Sequence, residues 1–451
     1  MPAPVVDLVV RGGRLVSATG TVAAGVAVRD GVIVAVAADD ALPEGRQTID
    51  AAGHYVIPGV IDPHVHFRSP GYEYKEDWAS GTAAAALGGV TTVLEMPNTD
   101  PPTATVEGLR AKQEVAARSA HVDYGIYGLL GQDNLEALPG LARHGVVGLK
   151  CFMGNNPIGR LDDGAMLEGF ETAARLGLRI AVHAENAVII ERKSERLRRA
   201  GRRDPLAHLE SRPSVCAVEA VGRAIALAEA AGAALHIAHE SSRESLPLIR
   251  QAKARGLDLT VETCPHYLLL NADDMARLGP LLRVNPPVRA AGHAEALWAG
   301  LADGTIDMLA TDHAPHAPAE KLVDDIWECW SGLGGLETAM PLLLTEVSRG
   351  RVTLPDYVRW SSLAPARAWG LYPRKGTLAV GADADLVILD LERDDTVRGE
   401  RFHSKSKLTP FEGVRTRGAP VCTIVRGRVV MREGKLEGPA GWGRMVTPVG
   451  G

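Results

Sequence analysis

The sequence predicts an α/β fold: a (β/α)8 TIM-like barrel with a small β-sandwich domain built from both chain ends. Three observations predict it. Short apolar β runs alternate with Ala/Leu-rich helical stretches through the middle of the 451-residue chain. Both ends are β-rich and broken by turns instead. The side chains able to do chemistry sit at the C-terminal ends of the β runs, where barrels of this kind gather their catalytic groups.

The N-terminal part, residues 1–57, reads as short β segments at Val5–Val10, Val22–Val28 and Val32–Ala37, with a last one near Tyr55. Gly12-Gly13 and Asp30-Gly31 mark turns between them. The same texture returns within 373–451, in Ala384–Leu389 and Val421–Val430. Residues 58–372 carry the barrel. After the segment that ends in His64 come Val90–Met96, Val122–Gly128, Gly148–Met153, Arg179–His183, Ala234–His239, Asp258–Cys264 and Met308–Thr311. That makes eight β candidates over about 315 residues, slightly long for a fold of about 250 residues in which insertions are common.

Bulk properties exclude several function classes. With 46% hydrophobic and 23% charged residues the composition is that of a soluble globular protein. A net charge of −6 leaves no electrostatic footprint for nucleic acid, so an anionic ligand needs a local basic pocket. The basic stretch Glu191–Arg203 has acidic residues mixed in and no aromatics to stack bases, and reads as a solvated helix face. Val215–Ala238 carries Glu219, Arg223 and Glu229 and reads as a buried helix running into a strand, not a membrane span. Five scattered cysteines without a Cys-x-x-Cys pair, and no visible signal peptide, give a cytoplasmic protein with reduced thiols as the expectation.

The chemistry starts at Asp62-Pro-His-Val-His-Phe-Arg68. On a strand, His64 and His66 share a face, and two neutral imidazoles converging there begin a metal site. Arg68 has the same parity and, if the chain stays extended, brings a fixed positive charge to the same opening. Later β runs end in Lys150, His183, His239 and Asp312. A lone histidine after apolar residues is usually a core residue, and a lone aspartate is often a helix cap. Six such groups at five strand ends are hard to explain that way. An ammonium beside two divalent cations would be repelled, so Lys150 must be neutral, displaced or chemically converted: a neutral amine and CO₂ give an anionic carbamate that can bridge two metals. Cys151 has the opposite parity and reads as a buried structural thiol.

The motifs resemble the amidohydrolase superfamily, specifically the cyclic amidohydrolases that include dihydroorotase, allantoinase and hydantoinase. They run from Val56-Ile-Pro-Gly-Val-Ile-Asp-Pro-His-Val-His66 through Gly148-Leu-Lys150, Val182-His-Ala-Glu-Asn186, His239-Glu-Ser-Ser242, Glu262-Thr-Cys-Pro-His-Tyr267 and Thr311-Asp-His-Ala-Pro-His316 to Gly381-Ala-Asp-Ala-Asp-Leu386. The resemblance implies two divalent metal ions, zinc suiting a His-rich site best. His64, His66 and Asp312 would hold the more buried one. His183 and His239 would hold the other, with Lys150, as N6-carboxylysine, bridging both. Metal coordination can lower a water's pKa from about 15.7 to around 7 for attack on a ring amide. Asp312 would take its proton and deliver it to the departing nitrogen. A small-molecule cyclic amide is the implied partner, and a homodimer or homotetramer the implied assembly.

Substrate choice must come from the other residues. Arg68, Asn98 in Met96-Pro-Asn-Thr99 and His316 match the pattern that clamps the carboxylate of dihydroorotate, and Asn285 would reach the ring's amide edge. Arg offers a planar fork matched to a carboxylate. The expectation is therefore a dihydroorotase, interconverting N-carbamoyl-L-aspartate and L-dihydroorotate in pyrimidine biosynthesis. Two features point to the alternative, an allantoinase or hydantoinase opening a five-membered cyclic ureide. Lys150 is shared with those enzymes, where many bacterial dihydroorotases carry Asp. The region from Asp325-Ile-Trp-Glu-Cys-Trp330 to the tail, His403–Lys407, Pro410–Gly413 and Trp442–Pro448, also looks more like theirs. The clamp touches substrate and the tail is expected not to, so the clamp is given more weight. A non-catalytic scaffold is the remote reading, since such relatives typically lose metal ligands.

Overall fold

The computed structural model describes residues 5–153 and 161–449. Its centre is a barrel of eight strands, Val60–Val65, Val90–Glu95, Asp123–Leu130, Gly148–Phe152, Ile180–His183, Leu235–Ile237, Leu259–Thr263 and Met308–Leu309. They pair in chain order, every pair parallel. A parallel bridge between Val65 and His313 joins the last strand's end to the first, with the His66 N–H donating to the His313 carbonyl at 2.7 Å. Parallel strands covered by helices are buried on both faces, which is why these segments read as unbroken apolar runs.

Side-chain caps start the helices between strands. Asp77 accepts from the Ser80 N–H ahead of Trp78–Leu87, Thr105 from Gly108 ahead of Val106–Ser119, and Asn186 from Ile189 ahead of Ala187–Arg199. The Val215–Ala238 stretch is a helix, Ser214–Ala231, followed by a strand from Leu235. Among the described residues, no helix is long and apolar enough to cross a membrane.

The chain ends supply two further sheets. Four N-terminal strands make one of them. The other is seven-stranded: Tyr55–Pro58, Arg14–Ser17 and Gly20–Ala23 continue a C-terminal set of Leu386–Thr396, Arg415–Val425, Arg428–Arg432 and Lys435–Leu436. Leu8, Val26 and Ile33 from the first sheet and Val56, Leu386 and Ile424 from the second share one buried core, so the two pack face to face as a sandwich.

The structure corrects some strand readings. Val22–Val28 is not one strand. It breaks at Ala24, and its halves, Gly20–Ala23 and Gly25–Arg29, enter different sheets. Val421–Val430 is a hairpin whose two-residue turn, Arg426-Gly427, has φ of 45° and 73°, the left-handed pair that a tight hairpin turn requires. Gly45–Asp50 is a strand too polar to read as one.

Candidate active site

All ten residues singled out from the sequence line one cavity of about 460 Å³ at the strand C-termini. That is the usual size of a small-molecule site. His64 and His66 do share a face, their ring centroids 5.3 Å apart. Their Nε2 atoms lie 3.4 and 3.2 Å from Asp312 Oδ1. Donor atoms of these three residues fall within 4.8 Å of one another, close enough to hold a metal ion. Opposite them, His183 Nδ1 and His239 Nε2 face each other at 3.0 Å, with the His64 and His239 rings 5.1 Å apart. Lys150 sits between, its Nζ 3.5 Å from His64 Nε2.

Carboxylates and an amide behind the rings fix which nitrogen is free. Glu262 Oε1 accepts from His64 Nδ1 at 2.5 Å, Asn98 Oδ1 from His66 Nδ1 at 2.8 Å, and Glu185 Oε2 from His183 Nε2 at 3.0 Å. Each bond turns the other, unprotonated nitrogen toward the centre of the site. Burial, helped by Lys150, pushes His64 down to about 4. Burial also drives His66, with Arg68 beside it, and His239 well below the ordinary histidine range. Neutral imidazoles with inward lone pairs are what a divalent cation needs, so this donor set fits one. Burial lowers Lys150 to about 8, close enough to neutrality for its amine to react. Cys151 is pushed up to about 12 by burial, consistent with an inert thiol.

Arg68 reaches the cavity differently from the sequence reading. The strand stops at Val65, and Arg68 has φ 62°, so a left-handed turn rather than strand parity brings it in. Its residue is 9% exposed. Among the described residues, its guanidinium has one side-chain polar contact, His316 Nε2 at 3.2 Å, and its Nε has none. It pairs with neither Glu73 nor Glu76. His316 Nε2 also lies 3.0 Å from the Ser331 carbonyl, which accepts from it, while Nδ1 faces Lys75 Nζ at 3.5 Å. Burial, and then Arg68 and Lys75, hold His316 far below its usual range, so it stays neutral. Among the described residues, Asn285 Oδ1 is buried without a partner. Asn98 spends its carbonyl on His66, which makes it an orienting residue whatever else it touches.

His239 and Asp312, with φ of 40° and 48°, lie just past their strands. Sparsely populated backbone of this kind collects where a site dictates side-chain direction. Three groups escaped the sequence reading. Glu262 and Glu185 stood inside the quoted motifs without a role, although a carboxylate in an apolar β run was a visible signal. The third is the wall formed by residues 327–332. Trp327, Cys329, Trp330 and Gly332 line the cavity, so this segment, weighed only for its likeness to hydantoinase and allantoinase chains, stands against the substrate space as the clamp does. Gly332, at φ 150°, has no room for a side chain: a Cβ there would come within 2.3 Å of the Ala314 carbonyl oxygen.

The profile of the amidohydrolase family matches residues 55–430. The chain belongs to the amidohydrolase family. The solved structure of L-Hydantoinase (Dihydropyrimidinase) from Arthrobacter aurescens superposes with a TM-score of 0.96 at 39% identity, covering 98% of this chain and 100% of that one. An allantoinase of Rubrobacter xylanophilus is 41% identical over 449 residues, 98% of each chain. A dihydroorotase of Bacillus caldolyticus is 39% identical over 415 residues, 90% of this chain and 94% of its own. This amidohydrolase is a hydrolase of the cyclic-amide class.

A second acidic cluster, Asp123, Asp383 and Asp385, also has its oxygens within 4.8 Å of one another. It is filled from within: Lys375 Nζ lies 2.8, 3.0 and 2.6 Å from the three carboxylates in that order. It is an ion-pair tie between barrel and sandwich.

Proposed function

We propose that this amidohydrolase opens the ring of a cyclic ureide with two divalent cations, preferentially zinc. His64, His66 and Asp312 would hold one and His183 and His239 the other, with Lys150, as N6-carboxylysine, a ligand to both. The observation that carries this reading is the convergence of all six groups on one cavity, five of them buried and His183 half-buried. The catalytic unit on this reading is 58–372, with 1–57 and 373–451 as the sandwich.

Such cations would lower the pKa of a water to around 7 and polarise the ring carbonyl. Asp312 would accept a proton from the attacking water and deliver it to the departing ring nitrogen. Asn285 reads the amide edge of the ring.

Five-membered cyclic ureides, hydantoins and allantoin, are the leading substrate class. The extent of the likeness to the L-hydantoinase and the allantoinase supports them. So does the wall at 327–332, which resembles those enzymes in sequence and lines the cavity. Dihydroorotate is a second reading, favoured by one specific observation: Arg68 is a buried guanidinium lining the cavity, its Nε without a hydrogen-bond partner among the described residues. Leaving such a charge against a neutral ring is costly. The test is turnover of allantoin, 5-substituted hydantoins and dihydroorotate, with N-carbamoyl-aspartate for the reverse reaction, by one preparation. Opening of hydantoin or allantoin with dihydroorotate ignored supports the first reading. The opposite pattern supports the second.

A further inference from the structure

We propose that Glu262 is a positioning residue for both halves of the metal centre, whereas Glu185 positions one half alone. The inference rests on the two-metal reading above and extends it to residues that touch neither metal nor substrate.

Glu262 is 1% exposed and makes three hydrogen bonds. Its Oε1 accepts from the His64 ring at Nδ1 and from the backbone N–H of His239 at 3.0 Å. Its Oε2 accepts from His236 Nε2 at 2.9 Å, and His236 Nδ1 in turn faces Thr260 Oγ1 at 2.9 Å. An ionised carboxylate only accepts, so every group around it must donate. The His64 proton is thereby fixed on Nδ1, and its Nε2 lone pair points to Asp312 and Lys150. The second bond acts through the backbone: it holds the N–H of a residue at φ 40°, the turn that aims His239 Nε2 at His183 Nδ1. One oxygen thus sets a ligand of each metal, by ring tautomer on one side and by backbone direction on the other.

Glu185 makes the contrast. Its Oε2 accepts from His183 Nε2 and from Arg212, and its Oε1 has no partner among the described residues. It touches no other member of the ligand set.

The test uses the full chain and zinc alone, with affinity read by competition against a chromophoric chelator. Removing the acceptor in Glu262→Met should weaken both zinc ions, each by about 10–100-fold, the usual range for losing a group behind a ligand. Glu185→Met should weaken one. Glu262→Gln should fall between wild type and Glu262→Met. Its carbonyl can keep His64 and His239 while its amide faces His236, which then moves its proton to Nδ1 and donates to Thr260. That tautomer switch is visible in ¹⁵N-histidine NMR and reports that the amide faces His236; the graded loss at both zinc ions is what a merely structural glutamate would not produce. If Glu262→Met does not fold, the metal-free wild type still decides, since His64 must carry its proton on Nδ1. A folded Glu262→Met that weakens one zinc or neither, or a wild-type His64 protonated on Nε2, would overturn the inference. A wild type that takes up no zinc would sink the two-metal reading itself, and this inference with it.

Discussion

Lys150 and Lys375 are both sealed from solvent by the same barrel, yet their surroundings differ in kind. Lys375 sits among three aspartates, and although burial opposes its charge, Asp385, Asp123 and Asp383 outweigh that and hold the ammonium above its ordinary range. Lys150 has no carboxylate within hydrogen-bond reach among the described residues; its closest polar contact is a histidine nitrogen at 3.5 Å, and burial lowers it to about 8. The first lysine neutralises a cluster and stays an ammonium. The second is poised to lose its proton beside donors that still have lone pairs to give. Three clustered acids therefore do not mark a metal site by themselves. What marks one is a set of inward lone pairs with no resident cation.

The largest effect expected from breaking this contrast is at Lys150. In Lys150→Ala the chain should fold, but bound metal should drop below about half an equivalent. Turnover should fall by about 10³-fold or more, because the roughly nine-unit activation of water goes with the metals. Full activity with both metals retained would end the bridging role. Lys375→Met should do the reverse. Losing Lys375 leaves Asp385 without its cation and Asp123 and Asp383 with only Arg426 and Arg374; this costs about 3–5 kcal/mol of stability, read as a lower denaturation midpoint, while the protein that remains folded binds zinc normally. Because the folded Lys375 pKa is raised, its contribution is complete below the unfolded-chain value near 10.5. It is lost only as pH climbs through the raised value, so the wild-type contribution should be flat across neutral pH. Loss of stability between about pH 6 and 9 that disappears in Lys375→Met would contradict this. The smallest effect is at Arg68. A charged hydrogen bond is worth about 1.5–3 kcal/mol, so Arg68→Met should raise KM about 10–100-fold for a ring bearing a carboxylate. It should change a neutral ring's KM little and leave metal content as in wild type. Equal losses on both kinds of ring would remove the argument for an anionic substituent.

Much of this was legible in the chain itself. Strand alternation put His64 and His66 on one face, and the apolar runs ending in Lys150, His183, His239 and Asp312 placed each group at a strand end. What escaped was local backbone geometry and second partners. Arg68, His239 and Asp312 sit in left-handed turns just past their strands, and nothing in a period-two pattern announces such a turn in a residue other than glycine. Glu262 was read as part of a motif because its work lies in three partners that only folding brings together. The segment Trp327–Gly332 was discounted because its position over the cavity depends on a loop, where sequence periodicity carries no information. Its place on the wall shifts weight from the carboxylate clamp toward the five-membered ureides.

The most direct test of the central claim is a single assay of ring opening by zinc-loaded, stripped and reloaded protein, with allantoin, a 5-substituted hydantoin and dihydroorotate offered in parallel. At least one ring should be opened, stripping should abolish the activity, and zinc should restore it. A preparation holding two metals that opens none of the three, or turnover indifferent to the chelator, would contradict the claim.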